Sequence, residues 1–216
     1  MSVEMKGKEL VRLLKDASGL PGPQLLLKVD GFGDYFLRPV ATKRNLQNSL
    51  YVSCLTTWRN RYVESFLSEF TATDEKTATW LNEVIHMDNS RILFMIENMQ
   101  QDPIGYMGLA YIDWVQSYGE ADAIVKGKSV PKGLMSAALK TLLNWAKGQL
   151  MIETLGVRVL SDNPALRFYR KLGFVETRRV PLKKNISSNL IIWVEDDTLL
   201  KSERYLVHHI WKKNEN

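Results

Sequence analysis

A short basic loop is the stretch of this sequence whose chemistry is easiest to state. Residues 127–133 read GKSVPKG, with Lys128 and Lys132 lying between Gly127 and Gly133. Backbone N–H groups of such a loop, together with the positive end of a following helix dipole, bind an anion, and a phosphate group suits them best. Strand–loop–helix units without a ligand are common, so a structural role for the loop stays open.

The elements that must position this loop are predicted on both sides of it. Residues 121–126 predict a short buried strand before it. A helix is predicted over residues 134–148, because apolar residues recur there at helical spacing: Leu134, Ala138, Leu142 and Trp145. The β-branched residues of 155–160 predict a second strand. A second helix over 163–171 has Asn163 as its cap, Pro164 in its first turn and Gly173 at its end.

Two segments of this unit carry a resemblance to a known family. Residues 132–139, KGLMSAAL, take the place of a pyrophosphate loop and the start of its helix. Residues 159–174, VLSDNPALRFYRKLGF, match V-x-x-x-N-x-x-A-x-x-x-Y-x-K-x-G-F with one residue of slack before the alanine. Both resemble the GCN5-related N-acetyltransferase (GNAT) superfamily. The loop departs from the family at Val130, where Gln or Arg is usual, and at Met135, where Gly or Ala is usual.

The resemblance implies a fold and a division of the chain. The fold is α/β, with a mixed, mostly antiparallel central sheet flanked by helices. An acetyltransferase domain would span residues 35–216. Residues 1–34 would form an N-terminal extension packed on that domain, made of an amphipathic helix over 5–17 and the first arm of a hairpin that turns at 30–33.

The resemblance also implies a cofactor, acetyl-CoA, and direct transfer of its acetyl group to a primary amine. Backbone groups would pair with the pantetheine amides at Ile124, Val125 and Lys126. The pyrophosphate would be surrounded by Lys132, Gly133, Leu134, Met135 and Ser136. Asn163 and Phe168 would line the cofactor's far side. Tyr169 would protonate the departing thiolate, with a role as a buried aromatic left as the alternative.

Two carboxylates are the candidates for the catalytic base. An amine must lose a proton before it attacks, and a carboxylate can accept that proton directly or through a water molecule. Glu120 and Asp122 alternate on one face of the strand predicted before the loop. By the resemblance they occupy the place where many family members carry their base. A surface or salt-bridge role is the alternative for each.

The triplet Trp58-Arg59-Asn60 is the candidate for acceptor binding. It resembles a branch of the family that acts on amino sugars attached to nucleotides, and Arg59 would hold a phosphate or carboxylate of the acceptor. A core position for Trp58 and an ion pair for Arg59 are the alternative. Other acceptors stay open: a small amine, a lysine or a protein N-terminus. Two other functions stay open, a CoA-binding regulator without catalysis and a basic nucleic-acid-binding module.

The rest of the chain supplies further elements. Helices are predicted over 45–58 and 73–87, the second capped by Thr73 or Asp74. Strands are predicted over 91–97, 104–114, 175–182 and 204–211, with Gly105 and Gly108 marking close backbone approach or a bulge. Residues 183–200 predict a polar loop with an apolar island at 190–194, serving as an acceptor lid or as the contact of a homodimer.

The amino-acid composition limits which partners and cofactors are expected for this chain. The net charge of +5 and pI of about 9.2 fit a binder of a phosphorylated cofactor. No basic-aromatic surface motif is present, so no nucleic acid partner is expected. The single cysteine excludes an intrachain disulfide, and His86, His208 and His209 lack metal-ligand spacing, so no metal is expected. Without an apolar run of membrane-span length or a signal peptide, we expect a cytoplasmic chain with no membrane partner.

Overall fold

The computed structural model describes the backbone of residues 3–22 and 24–212, and the side chains from residue 6 onward. Contacts divide the chain into two compact units, Met1–Trp58 with Thr73–Leu155 and Arg59–Ala72 with Gly156–Asn216. The predicted extension 1–34 and domain 35–216 stay predictions, and residues 1, 2, 23 and 213–216 of those spans lie outside the described residues.

The predicted helices and strands occur in the predicted order, and two short strands, Ser68–Glu69 and Leu190–Glu195, were not predicted. The α-helices are α1 (Val3–Ala17), α2 (Ser49–Arg61), α3 (Asp74–Trp80), α4 (Leu134–Gln149) and α5 (Ala165–Lys171). The strands are β1 (Leu27–Lys28), β2 (Tyr35–Pro39), β3 (Ser68–Glu69), β4 (Ile92–Asn98), β5 (Pro103–Asp113), β6 (Tyr118–Lys126), β7 (Thr154–Leu160), β8 (Phe174–Ser187), β9 (Leu190–Glu195) and β10 (Tyr205–Trp211).

The first unit is built on an antiparallel sheet with the spatial order β1-β2-β4-β5-β6. The predicted hairpin is confirmed, since Leu27 pairs with Leu37 and the turn contains Gly31 at a φ of +75°. Strand β4 has no polar alternation in its sequence because residues 92–96 are buried on both faces. The apolar stripe of α4 is buried as predicted, and its Trp145 meets Phe94 of β4 edge to face at 5.4 Å.

Side-chain caps decide where two helices of this unit begin. Helix α2 begins at Ser49, later than predicted, because the Asn48 side chain accepts the N–H groups of Leu50 and Tyr51 at 2.9 and 3.3 Å. Helix α3 is capped by Thr73 as predicted, with Thr73 Oγ1 accepting the Lys76 N–H at 3.2 Å. It continues as a π-helical turn over Leu81–Ile85.

The second unit is an antiparallel sheet with the order β7-β10-β8-β9-β3. The prediction of a polar loop over residues 183–200 is wrong. Strand β8 continues to Ser187 and pairs with β9, so that Ser187 lies opposite Leu190 and Leu182 lies opposite Glu195. The burial that drives this pairing is that of Trp193 and Leu182, which pack with Leu160 and Leu206. Lys184 covers the Trp193 ring at 5.2 Å, so the lysine that suggested a loop lies over apolar surface.

The fold class predicted from the sequence is confirmed. The protein is mixed α/β, with a mostly antiparallel central sheet flanked by helices. Across the described part of the chain, every helix is too short or too polar to cross a membrane.

Candidate functional site

Strand β6 carries the two candidate carboxylates and a bulge. Glu120 pairs with Ala110 and Asp122 with Gly108, so the two acids lie on one face of β6. The register then shifts before Val125 meets Tyr106, and Ala123 takes a φ of +51°. A bulge re-aims the residues that follow it. It therefore separates the strand segment bearing the acids from the segment 124–126, whose backbone is the candidate cofactor edge.

Burial distinguishes Glu120 from Asp122. Glu120 is 7% exposed, and the Tyr118 hydroxyl donates to its Oε1 at 2.8 Å, whereas Asp122 is half-buried. Tyr118 lies two residues before Glu120 and therefore on the same face of the strand. The sequence analysis missed Tyr118, although that spacing was a usable signal.

The loop after β6 is tied to β5 at its first two residues. The Gly127 and Lys128 N–H groups both donate to the Ile104 carbonyl, at 3.0 and 2.9 Å. Gly105 lets the backbones approach, because a Cβ there would lie well inside 3.0 Å of the Val125 carbonyl oxygen. The predicted close approach at Gly105 is confirmed.

The start of α4 has the features of an anion site. Gly133 holds a φ of +94°, which favours glycine, and the Leu134 N–H donates to the Pro131 carbonyl at 3.2 Å. The next two N–H groups, of Met135 and Ser136, have no partner inside a helix because of helix geometry.

The surroundings of Gly133 fit a phosphate group. A Cβ at Gly133 would meet nothing nearer than Phe32, at 3.5 Å, and the lysines beside the loop are exposed: Lys126, Lys128 and Lys132. The Leu134 side chain lies in the core, so its backbone is the part that faces a ligand.

Trp58 lies against this loop. It is 4% exposed and stacks on Tyr106, with ring centroids 6.2 Å apart and planes inclined by 13°. Its indole covers Gly127, where a Cβ would lie well inside 3.0 Å of three ring atoms. Trp58 is thus a core residue in contact with the loop that follows β6.

In the second unit, the three remaining cofactor candidates lie in α5 and just before it. Pro164, and not Asn163 as predicted, is the cap residue of α5, and the Asn163 side chain accepts the Ala165 N–H at 2.8 Å in the turn that leads into the helix. Tyr169 is 6% exposed and packs edge to face on Phe168 at 5.2 Å and on Phe174 at 5.6 Å. Phe168 is half-buried.

Arg59 and Asn60 hold the segment 66–72. Arg59 donates to the Ser68 and Phe70 carbonyls at 2.6 and 3.2 Å, and its guanidinium lies 3.9 Å from the Phe70 ring centroid. Asn60 exchanges two hydrogen bonds with the backbone of Ala72. Arg59 and Asn60 thus contact backbone groups and a ring of this segment, and acceptor binding by the triplet stays a prediction.

A second group of side chains holds the same segment from the β9 side. Glu69 accepts from Trp193 Nε1 at 2.7 Å and from Arg204 Nη1 at 3.0 Å. Arg204 also donates to Asp162 at 2.8 Å. Sequence analysis missed this network, since its members lie far apart along the chain.

The described residues form no cluster suited to a metal ion, and Cys54 lacks the properties of a nucleophile. Within residues 3–22 and 24–212, no three His, Cys, Asp or Glu side chains cluster as metal ligands. Burial raises the pKa of the Cys54 thiol, which disfavours the nucleophilic thiolate.

The antiparallel sheet, the bulged strand and the glycine loop before α4 together define an acetyltransferase class of α/β protein. The chain belongs to the acetyltransferase (GNAT) domain family, whose model matches residues 36–175. Similarity to a curated protein points the same way. Spermidine N(1)-acetyltransferase of Vibrio cholerae serotype O1 is 28% identical over 96 residues, covering 44% of this chain and 55% of that protein. The chain thus spans about half the length of the curated relative that it matches.

Solved structures show the same fold. The spermidine N-acetyltransferase from Vibrio cholerae in complex with CoA and spermine has a TM-score of 0.62 and 18% identity, over 82% of this chain and 94% of that one. The dodecameric structure of spermidine N-acetyltransferase from Vibrio cholerae has a TM-score of 0.58 and 18% identity, over 82% and 92% of the two chains. At 18% identity, the similarity to these structures shows a shared fold alone.

Proposed function

We propose that this protein is an acetyl-CoA-dependent N-acetyltransferase that transfers acetyl directly to a primary amine of a small molecule. The observation that carries the proposal is the continuous path through β6 and the loop into α4. It joins the buried carboxylate of Glu120 to a helix start with exposed lysines and Gly133 in the left-handed conformation. Membership of the GNAT family supports it.

The residues of this chain fit a phosphorylated cofactor. The backbone of 124–126 would hold the pantetheine arm beyond the bulge, and the loop N–H groups at 132–136 would hold the pyrophosphate, with Lys128 and Lys132 replacing the charge absent at Val130. Asn163 and Phe168 would line the far side. Bound acetyl-CoA supplies an acetyl thioester and a thiol leaving group.

Glu120 and Tyr169 would move the protons. Glu120 accepts a proton from the acceptor ammonium, directly or through a water molecule, which frees the nitrogen lone pair. The C–N bond then forms as the C–S bond breaks, and the Tyr169 hydroxyl gives its proton to the departing sulfur. The positively charged nitrogen of the product loses its extra proton to water, and Tyr169 takes a proton back from solvent. Asp122, on the same face of β6, is the second candidate for the base.

The acceptor proposed is a small amine of the polyamine kind rather than a nucleotide-linked amino sugar. The similar proteins from Vibrio cholerae are named as spermidine N-acetyltransferases, which supports this choice. Within the triplet Trp58-Arg59-Asn60, Arg59 and Asn60 would serve the acceptor by fixing the segment 66–72, whose aromatic residues Phe66 and Phe70 flank the Arg59 guanidinium. Self-association belongs to the proposal as well, supported by the relative described as dodecameric, and sedimentation showing a monomer would remove it.

The test combines binding with turnover. CoA should raise the melting temperature, because a ligand bound by the folded state stabilises it by about 2.7 kcal/mol at 100 times its Kd. Acetyl-CoA consumption should then depend on an added amine, in a panel of spermidine, spermine, a nucleotide-linked amino sugar and a peptide with a free N-terminus. Stabilisation without turnover would mean a CoA-binding regulator, and no stabilisation would overturn the proposal.

A further inference from the structure

We infer that Trp58 is a positioning residue for the cofactor loop, and that it acts on cofactor binding through the backbone of Gly127. The inference rests on the proposed function, since it requires the loop to bind CoA. It assigns Trp58 a role other than contact with the acceptor.

The contact between Trp58 and Gly127 leaves no room for a side chain. A Cβ at Gly127 would lie well inside 3.0 Å of the Trp58 ring atoms Cε2, Cδ2 and Cζ2. Gly127 is not among the residues with positive φ, so the backbone conformation itself would accept alanine. The indole is therefore the reason that this position requires glycine.

Trp58 cannot move away from the loop at low cost. It is 4% exposed, and its ring stacks on that of Tyr106, which is equally buried at 4%. Tyr106 belongs to β5, and the same strand holds the Gly127 N–H through the Ile104 carbonyl at 3.0 Å. Gly127 is thus fixed both by a strand and by a helix of the first unit.

The position of Gly127 sets the position of the anion site. Gly127 is the first residue after β6, and the loop of six residues that follows ends at Gly133 before α4. Hydrogen bonds to a phosphate depend steeply on distance and angle, and a misplacement of about 1 Å can cost about a hundredfold in rate. A side chain that fixes the start of the loop therefore determines how well its N–H groups converge.

Consecutive residues of the triplet therefore contact different segments of the chain. Trp58 packs on the cofactor loop of the first unit, whereas Arg59 and Asn60 hold the segment 66–72 of the second. A variant at Trp58 should change cofactor affinity, and one at Arg59 should change the acceptor's KM.

A double-mutant cycle tests the inference on the full chain. The variants are Gly127→Ala, Trp58→Ala and their combination, and the readouts are the CoA Kd by calorimetry and the free energy of unfolding. We expect Gly127→Ala to weaken CoA binding about tenfold or more when Trp58 is present, and by less than about threefold in the Trp58→Ala background. Trp58→Leu, which leaves a smaller void, keeps the test usable if the alanine variant does not fold.

Two control variants separate this contact from general destabilisation. Gly105→Ala brings its Cβ against backbone atoms, the Val125 oxygen and the Gly127 nitrogen, so Trp58→Ala should give it no relief. Phe94→Leu removes buried volume from β4 of the same unit, where the ring packs on Trp145 near the end of α4 opposite the loop, and should lower stability while leaving the CoA Kd within about twofold of the parent.

The outcomes distinguish the inference from the proposed function. If the parent binds CoA and Trp58→Ala or Trp58→Leu keeps the parent's Kd, or the cycle is additive, the inference is overturned and the proposed function stands. If the parent binds no CoA, both fall. The inference would be supported if loss of Trp58 restored the CoA affinity of Gly127→Ala but not that of Gly105→Ala.

Discussion

At the scale of single residues, burial separates two chemically similar acids. Glu120 and Asp122 share a face of β6, but Glu120 is the buried one and accepts the Tyr118 hydroxyl. A carboxylate that is buried and accepts a hydroxyl keeps one orientation for accepting a proton. This difference favours Glu120 as the base.

We therefore expect Glu120→Gln to lower kcat/KM for the amine about a hundredfold or more, since the amide cannot accept the proton. The loss should be greatest at low pH and partly reversed at high pH, where more of the amine is already neutral. Steady-state rates over a range of pH measure this effect. The exposed Glu153→Gln is the matched control, and an unchanged pH profile in Glu120→Gln would assign the base elsewhere.

Tyr169 allows a change of a single functional group. Its ring packs on Phe168 and Phe174, so Tyr169→Phe keeps the packing and loses the hydroxyl. We expect kcat to fall about tenfold or more, with the CoA Kd unchanged, because the lost group acts in the transition state. Tyr205→Phe, in the same unit, removes a hydroxyl outside the proposed site. Full turnover by Tyr169→Phe would leave it a structural aromatic.

At the scale of elements, one buried lysine connects α1 to the turn after α3. Lys15 is 1% exposed, and its ammonium donates to the carbonyls of Ile85, His86 and Asp88 at 3.0, 2.9 and 2.8 Å. These carbonyls lie at the end of the π-helical turn, where helix geometry leaves acceptors unpaired. The N-terminal helix thus supplies the cap of another helix.

Lys15 should make stability depend on pH in the alkaline range. Burial lowers its pKa from 10.5 to about 8 in the folded protein, against the opposing effect of Asp88 and Asp16. Between these two values the unfolded chain binds the extra proton, so the folded state gains stability as pH rises.

Lys15→Met removes this gain. The free energy of unfolding of the parent minus that of Lys15→Met should therefore increase by roughly 3 kcal/mol from about pH 7 to about pH 10.5. Urea denaturation at several pH values measures this difference. Lys8→Met, an exposed change on the same helix, should show no such growth. An advantage that is equal at both pH values would contradict the assignment.

The segment 66–72 gives a further prediction at this scale. Arg59→Ala removes two hydrogen bonds to backbone carbonyls and the stacking on Phe70, so the segment should lose its fixed position. We expect the acceptor's KM to rise about fivefold or more while the CoA Kd stays unchanged. Arg178→Ala, an exposed arginine paired with Asp197, is the control. A selective loss of CoA affinity instead would contradict this division of roles.

At the scale of the whole molecule, the net charge is unevenly divided. The second unit holds 14 Lys and Arg against 9 Asp and Glu, whereas the first holds 15 of each, so the excess of +5 lies in the second unit. Long-range fields of this kind change the rate at which charged ligands associate.

A polycationic acceptor should therefore react faster as salt screens the repulsion. We expect kcat/KM for spermidine to rise between about 20 and about 150 mM salt, as the Debye length shortens to about 8 Å. For an amine bearing a phosphate it should fall. A fall for spermidine would show that local acidic groups, rather than the net charge, govern its approach.

Local sequence patterns predicted much of the fold and part of the site. The helical spacing in α4, the Thr73 cap and the hairpin turn at Gly31 each depend on neighbours along the chain, and the structure has them as predicted. The same holds for the face shared by Glu120 and Asp122, because side chains alternate along any strand.

The sequence by itself determined the order of strands, helices and loop around residues 120–174 and the family to which they belong. The tertiary structure alone decided that residues 183–195 pair as a hairpin, that Trp58 covers Gly127 and that Lys15 is buried under carbonyls seventy residues away. The physical reason is the separation along the chain over which each kind of interaction acts. Periodicity and caps act between residues a few positions apart, whereas burial, strand pairing and close backbone approach depend on which distant segments pack together.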